Sequence, residues 1–196
     1  MKSARLAPLV GLLLGPIAVA SAAHDLPGLG TPLLSGSASY VTGSNSATVD
    51  YAVFAPGDFT GTDPSGGAEY VYAYQFFVNV GSNPLYLATI AVDDPDAANQ
   101  AALGTTSGVA PGLLSLDPVG TKSFVSLFNP TVVTAGSNSQ VVLFTSPNPP
   151  TYGTTSVTFV AAPAVVSATL IPTPLPEPAT MVLLAMGGLL IRRRRR

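Results

Sequence analysis

The sequence predicts an all-β protein with targeting segments at both ends. Several short segments alternate apolar and polar residues with a period of two, as half-buried strands do. Glycine and proline contribute 19 residues each to a chain of 196, which favours turns over long helices. Only 9% of the residues are charged, against a usual share of about 25%. These three observations together indicate a turn-rich β domain with few charged residues in the middle of the chain.

Seven segments carry the alternating pattern. The strongest spans 70–80, and its one face holds Tyr70, Tyr72, Tyr74, Phe76, Val78 and Val80. Turn residues at 81–84 follow, so this strand is expected to form a hairpin with the strand predicted at 85–92. The other five predicted strands span 38–42, 47–54, 122–128, 139–145 and 155–160. Such a series predicts an immunoglobulin-like β-sandwich, with an up-and-down barrel as the alternative.

One short helix is expected inside the body. Asp94 suits its N-cap, Pro95 its first position and Gly104 its end, and the residues between are rich in alanine. The acidic cluster of Asp93, Asp94 and Asp96 lies at its start. Two interpretations stay open: the cluster complements the helix dipole, or it contributes oxygen ligands to a Ca²⁺ site, although its spacing is not that of an EF-hand.

The N-terminal end has the pattern of a secretory signal peptide. Lys2 and Arg5 precede an apolar run over 6–20, and small residues follow it. Cleavage is therefore predicted after Ala22 or Ala23, which gives a signal peptide over 1–23 and an extracellular domain over 24–171. An uncleaved membrane anchor is the alternative, but the run is short for a span. Between His24 and Glu177 the chain carries ten acids and one lysine.

The C-terminal end has three successive parts. A stem over 172–178 has proline at every second position, an uncharged apolar segment covers 179–191, and five arginines end the chain. As a helix, the apolar segment would span about 20 Å, less than the ~30 Å of a hydrocarbon core. It is therefore predicted to be a short transmembrane helix that anchors the chain only transiently. The positive-inside rule places the arginines in the cytoplasm and the body outside.

Pro176, Glu177 and Pro178, followed by this apolar segment and the arginines, resemble the PEP-CTERM sorting signal of Gram-negative bacteria. The resemblance covers about 25 residues, with all three parts in order at the chain end. It implies that an exosortase, an integral-membrane cysteine protease-transpeptidase, recognises the three residues and cleaves close by. It also implies an inner-membrane intermediate, followed by residence on the cell surface or in the extracellular matrix. The residues that hold the tail in the cytoplasm would be Arg192, Arg193, Arg194, Arg195 and Arg196.

The C-terminal end allows two other interpretations. The sortase signal of Gram-positive bacteria, Leu-Pro-x-Thr-Gly, has the same three-part layout, but Pro178 and Ala179 stand where it has threonine and glycine. A plain tail anchor without processing is the second alternative.

Several classes of chemistry are disfavoured by composition. The chain has no cysteine, which excludes disulfides, thiol nucleophiles and cysteine-ligated metals. Its one histidine, His24, lies at the predicted mature end, and no Gly-x-Ser-x-Gly elbow occurs, so a Ser-His-Asp hydrolase is not expected. A body with one lysine and ten acids does not favour nucleic-acid binding. Glycoside cleavage would need paired carboxylates, and the sequence offers only the cluster at 93–96. No catalytic residue, cofactor or established metal site is predicted.

The aromatic face of the predicted strand at 70–80 allows two interpretations. It fills the core of the domain, with tyrosine hydroxyls reaching the rim, or it is an exposed platform that stacks on sugars. The core interpretation is favoured because the face continues into Val78 and Val80.

The predicted function is that of an exported, surface-sorted protein without enzymatic activity. It would be structural, or associated with the exopolysaccharide of a biofilm matrix, and the family resemblance supplies this setting. Its partners would be the exosortase and the membrane, both transiently, and exopolysaccharide. A carbohydrate- or Ca²⁺-binding module of the cell surface is the alternative.

Overall fold

The computed structural model describes residues 25–92, 99–116, 123–162, 164–166 and 171–174. These residues form an all-β fold, which confirms the predicted class. The elements found in these ranges are a short 3-10 helix, η1 (Leu26–Leu29), and the strands β1 (Leu34–Thr42), β2 (Asn45–Phe54), β3 (Tyr70–Val78), β4 (Leu85–Ala91), β5 (Gln100–Ala102), β6 (Leu113–Leu116), β7 (Ser123–Leu127), β8 (Val142–Ser146), β9 (Pro150–Gly153), β10 (Thr155–Phe159), β11 (Ala164–Val166) and β12 (Ile171–Pro174).

Ten of these strands form two antiparallel sheets of five strands each. Sheet 1 has the order β1-β2-β3-β8-β5, and sheet 2 has the order β11-β10-β4-β7-β6. The strands β9 and β12 form a separate antiparallel pair. The seven predicted segments lie in β1, β2, β3, β4, β7, β8 and β10, with ends shifted by up to four residues.

A single hydrophobic core lies between the two sheets, so they face each other. Sheet 1 supplies a row of aromatic rings from β3 and β8, and sheet 2 supplies apolar side chains from β4, β7 and β10. Phe144 connects the two contributions, since its ring centroid lies 5.1 Å from those of both Tyr72 and Phe124. The apolar members of the alternating pattern therefore meet at one interface, as the period of two requires.

The other face of sheet 1 is covered as well. A second cluster of buried apolar residues lies there, made of Leu26, Ala52, Phe54, Phe59, Val71, Ala73, Leu103, Val141 and Leu143. Helix η1 and the loop between β2 and β3 cover it, and the ring centroids of Phe54 and Phe59 lie 5.1 Å apart. The central strands β3 and β8 are therefore buried on both faces, whereas antiparallel sheets commonly keep one face in water, as the outer face of β1 does here.

The predicted hairpin between the strands at 70–80 and 85–92 is wrong. Strand β3 lies in sheet 1 and β4 lies in sheet 2. Both edges of β3 are occupied, by β2 and β8, so β4 cannot join it there. Residues 79–84 instead carry the chain from one sheet to the other. The backbone N–H of Asn83 donates to Asn45 Oδ1 at 2.7 Å, which holds this crossing against the turn between β1 and β2.

The predicted short helix is also wrong where the structure describes it. Gln100–Ala102 forms strand β5, which pairs with β8. Intrinsic helix propensity is a small effect even for alanine, which has the highest value. Pairing with the buried strand β8 outweighs that preference. Residues 93–98, which include the predicted cap, lie outside the described residues.

The predicted stem begins later than expected. Ile171–Pro174 forms β12, whose four residues are all buried, although the sequence predicts an exposed stem from residue 172. Proline is tolerated in this strand because, among the described strands, β12 pairs with β9 alone, so its other edge needs no N–H donor. The folded body therefore extends at least to Pro174.

No helix among the described ranges is both long and apolar enough to cross a membrane. The segment predicted to do so, 179–191, lies outside those ranges.

Candidate functional site

Most of the residues to which the sequence assigns a role lie outside the described ranges. They are the cleavage residues Ala22 and Ala23, the single histidine His24, the acidic cluster of Asp93, Asp94 and Asp96, the sorting motif of Pro176, Glu177 and Pro178, and the five arginines from Arg192 to Arg196. Their roles stay predictions. The structure does describe the body directly next to both ends.

The first described residue, Asp25, is attached to the outer face of sheet 1. Its backbone N–H donates to Gln75 Oε1 at 3.1 Å, and its Oδ2 accepts from Gln75 Nε2 at 2.8 Å. The same Oδ2 accepts from the backbone N–H and the hydroxyl of Ser107 at 3.1 and 2.9 Å. Gln75 is fully buried, and its Nε2 also donates to the carbonyl of Ser139 at 3.2 Å. The body is therefore anchored at the residue that follows His24.

The last described strand is anchored to the inner core. The hydroxyl of Tyr74 donates to the carbonyl oxygen of Pro172 at 2.7 Å. A Cβ on Gly153 would lie 2.8 Å from both Cγ2 and Oγ1 of Thr173, so β9 and β12 approach closely only because residue 153 is glycine. Ile171 and Thr173 are both buried. These contacts fix the chain three to four residues before Pro176.

The aromatic face of β3 is core, as the favoured interpretation predicted. Tyr72, Tyr74, Phe76 and Val78 are all buried. The hydroxyl of Tyr72 donates to the carbonyl of Asn148 at 2.8 Å, so it finds a partner at the edge of the core, as expected. Val80 departs from the prediction because it follows the end of β3 and is 81% exposed.

Burial suppresses ionisation of the core tyrosines. Loss of hydration raises the pKa of Tyr40 to about 12, and its hydrogen bond with Thr155 opposes that change. Burial also raises the pKa of Tyr72 and Tyr74, and neighbouring tyrosines add to the effect. All three therefore stay neutral hydroxyls at physiological pH, suited to structure and not to proton transfer.

The acidic residues of the loop between β2 and β3 include one with a clear structural role. Asp63 Oδ1 accepts from the backbone N–H and the hydroxyl of Ser65, both at 2.7 Å, and Oδ2 accepts from the N–H of Gly67 at 3.1 Å. This is an Asx-type turn that orders the loop. Among the described residues no group of three His, Cys, Asp or Glu side chains is arranged to hold a metal ion.

A surface groove of about 290 Å³ lies between η1 and the first two strands. Its apolar walls are Leu26, Pro27, Pro32 and Ala52, and its polar lining is Ser35, Ser37, Asp50 and Tyr51, with Gly36 between the serines. The hydroxyl of Ser37 donates to the buried carboxylate of Asp50. Hydroxyls, a carboxylate and apolar walls form a lining suited to a polyol.

Sequence reasoning did not single out this groove. By alternation, Asp50 falls on the polar face of the strand predicted at 47–54, which by itself indicates no site. The usable signal was its position in the middle of a strand with serines on the preceding strand, because antiparallel pairing places Ser37 opposite Asp50. Without the register of β1 and β2, that pair cannot be identified.

Comparison of the chain with protein-family models, with curated proteins and with solved structures found no match.

Proposed function

We propose that this chain is an exported protein, sorted to the cell surface and structural in role. The single observation that carries the proposal is the order of the three C-terminal parts: Pro176-Glu177-Pro178, an apolar segment over 179–191 and five arginines. We infer removal of a signal peptide after Ala22 or Ala23 and processing by an exosortase at the Pro-Glu-Pro motif. The mature body would then reside on the surface or in the exopolysaccharide matrix of a Gram-negative bacterium.

The limits of the folded body support this proposal. The body is anchored at Asp25, two or three residues after the predicted signal cleavage. It is anchored again at Pro172, four residues before Pro176. A domain with these limits would keep both its ends in place after the two cleavages. Processing would then remove only segments that the anchoring contacts do not involve.

A structural role, with no catalysis, agrees with how the described carboxylates are used. Asp25 and Glu69 accept hydrogen bonds from neutral donors of sheet 1, and Asp63 accepts hydrogen bonds from neutral donors that order its own loop. All eight lysines and arginines of the chain lie outside the described ranges. The described surface is therefore acidic or neutral, as suits residence beside neutral polysaccharide without attracting polyanions.

We also propose that the fold is an immunoglobulin-like β-sandwich. Two facing five-stranded antiparallel sheets around a shared core support this assignment. The passage of the chain from β3 directly to the opposite sheet favours it over an up-and-down barrel, in which successive strands are neighbours.

The intact mass of the protein recovered from the surface of its host tests the sorting proposal. We expect a species that begins near His24 and ends near Glu177. Replacing the motif residues, Pro176→Ala with Glu177→Gln, should leave the N-terminal cleavage unchanged and retain residues 181–196, because recognition by the exosortase is lost. The matched control is Pro174→Ala, which alters the strand before the motif. A wild-type protein that keeps its arginines at the surface would contradict the proposal.

A second candidate function is a carbohydrate-binding module of the cell surface. The groove beside Asp50 favours it, since its lining combines hydroxyls and a carboxylate with apolar walls. Retention on immobilised polysaccharide that Asp50→Asn abolishes would distinguish this role from passive scaffolding. The Ca²⁺-binding version rests on Asp93, Asp94 and Asp96 and stays a sequence prediction.

A further inference from the structure

The outer edge of sheet 1 at β1 has no role in the proposed sorting, although Ser35, Gly36 and Ser37 of this strand line the groove of the second candidate function. Among the described strands only β2 pairs with β1, over nine consecutive residue pairs without a register shift. Most of the strand is exposed, with Ser35, Gly36, Ser37, Ser39 and Val41 open to solvent. This edge is therefore long and regular, with its outward-facing residues exposed, and β11 of sheet 2 lies close to it.

The edge lacks the usual features that prevent strand addition. Natural sheets protect their edges with charged side chains, prolines, bulges or very short strands. No charged residue and no proline occurs between Leu33 and Val49, and β1 is nine residues long. The backbone of β1 can thus accept another strand.

The charge of the body limits which strand can approach. The ten acids and one lysine between His24 and Glu177 would make two copies of the body repel each other. The residues of β1 itself are neutral, and the adjacent acid, Asp50, lies on β2 and accepts a hydrogen bond from Ser37. Two copies can therefore meet at this edge without acidic side chains directly opposite each other. Association through this edge therefore does not require a partner protein of opposite charge.

The pattern of side chains on β1 is the same in both directions. Ser37, which bonds Asp50, lies on the outer face of sheet 1, and the alternation places Ser35 and Ser39 there too. Leu33 and Val41 lie at the two ends of this row and are 54% and 68% exposed. The row is apolar, serine, serine, serine, apolar. An antiparallel copy centred on Ser37 therefore places each Leu33 beside Val41 of the other copy.

We propose that two copies of this chain associate through β1, antiparallel, about a two-fold axis at Ser37. The two copies of sheet 1 then form one continuous sheet. The interface is self-complementary, as a two-fold dimer requires. Backbone hydrogen bonds supply the attraction, and two Leu33–Val41 contacts fix the register.

Single cysteines test this register directly, because the natural chain contains none. Ser37→Cys lies opposite itself across the axis, where paired Cα atoms are about 4.5–5.5 Å apart, within the range for a disulfide. We expect the full-length chain, expressed and exported by its host, to form a covalent dimer under mild oxidation. Ser35→Cys combined with Ser39→Cys should do the same without altering the Ser37–Asp50 bond.

Two controls make the test specific. Ser39→Cys alone lies about 13 Å from its counterpart, four residues along the strand, and should not cross-link. Val80→Cys, on an exposed site elsewhere, reports random collision. The proposal is overturned if Ser37→Cys and the double variant cross-link no faster than Val80→Cys, or if Ser39→Cys alone cross-links as fast as Ser37→Cys.

A charge variant provides an independent measurement. Ser35→Lys with Ser39→Lys places two like-charged pairs directly across the interface. We expect the dissociation constant of the dimer to rise by about tenfold, with an unchanged melting temperature of the monomeric body. Val80→Lys should leave the constant unaltered. An equal dimer fraction in both variants and the wild type would overturn the proposal.

Discussion

Both faces of sheet 1 are buried at its central strands β3 and β8, but in different ways. The inner face is a continuous row of large apolar and aromatic side chains against sheet 2, with tyrosine hydroxyls at its rim. The outer face combines apolar residues that range from alanine to phenylalanine with a buried polar group, Gln75, and is covered by η1 and loops. The inner face therefore depends on packing of strands, whereas the outer face depends on hydrogen bonds that hold its cover in place.

This difference shows how one strand can serve two kinds of core. Along β3, even-numbered residues fill the space between the sheets, and odd-numbered residues such as Ala73 and Gln75 face the cover. Because the cover is made of irregular segments, its backbone groups need partners from side chains. Gln75 and Asp25 supply them. Loss of packing should therefore be costlier on the inner face than on the outer one.

Phe144→Ala should have the largest effect on stability. Phe144 stacks on Tyr72 and touches Phe124 across the core, and removing a fully buried phenylalanine costs about 3–5 kcal/mol. Phe59→Ala, in the cover of the outer face, is the matched control and should cost clearly less. Denaturant unfolding of the two variants measures both values. Equal losses would mean that the two faces contribute alike, and the comparison would fail.

Gln75→Leu should have an intermediate effect. The substitution keeps the volume but removes the hydrogen bonds to Asp25 and to the carbonyl of Ser139, and unsatisfied buried groups cost about 1–3 kcal/mol. Hydrogen exchange should accelerate first at Ser107 and in η1, since the cover loosens before the sheets open. Gln140→Leu, at a half-buried site, is the control. Uniform acceleration through both sheets would contradict a separate role for the cover.

Tyr40→Phe should have the smallest effect at neutral pH, about 1 kcal/mol, since one hydrogen bond with Thr155 is lost. The pH dependence of the free energy of unfolding is more informative than this loss. The pKa of Tyr40 is about 12 in the folded chain and 10.0 ordinarily, so the unfolded chain ionises first. Stability from this group is fully present below pH 10 and is lost as the pH rises from 10 towards 12. The variant should lose less stability over that window in melting measurements. An unchanged alkaline loss would mean that Tyr40 titrates normally.

The sequence predicts the inner face better than the outer one. The period of two in β2 and β3 is set by side chains that alternate between a core and its opposite side, so it is visible without a structure. The strands β5, β6, β9, β11 and β12 have three or four residues each, too few for a period to show. Their positions are decided by pairing with longer strands, which is a property of the whole fold.

The candidate sites follow the same division. The sorting motif is local in sequence, so Pro176, Glu177 and Pro178 can be proposed from order and composition alone. The groove beside Asp50 and the Asp25–Gln75 pair each join residues far apart in the chain. The hairpin error has the same origin, because the turn at 81–84 is compatible with either pairing in one sheet or crossing to the other. Only the occupied edges of β3 decide between them.

The placement of β12 has a mechanical consequence. Tension applied to the chain beyond Pro174 would enter the body at β12, where the Tyr74–Pro172 bond and the close contact of Thr173 with Gly153 would carry the load. The strands of the two five-stranded sheets would be pulled apart only after β12 had detached from β9 and from Tyr74. Detachment of β12 would thus be the first step of forced unfolding from this end. The force needed to detach it would set the load that the body withstands.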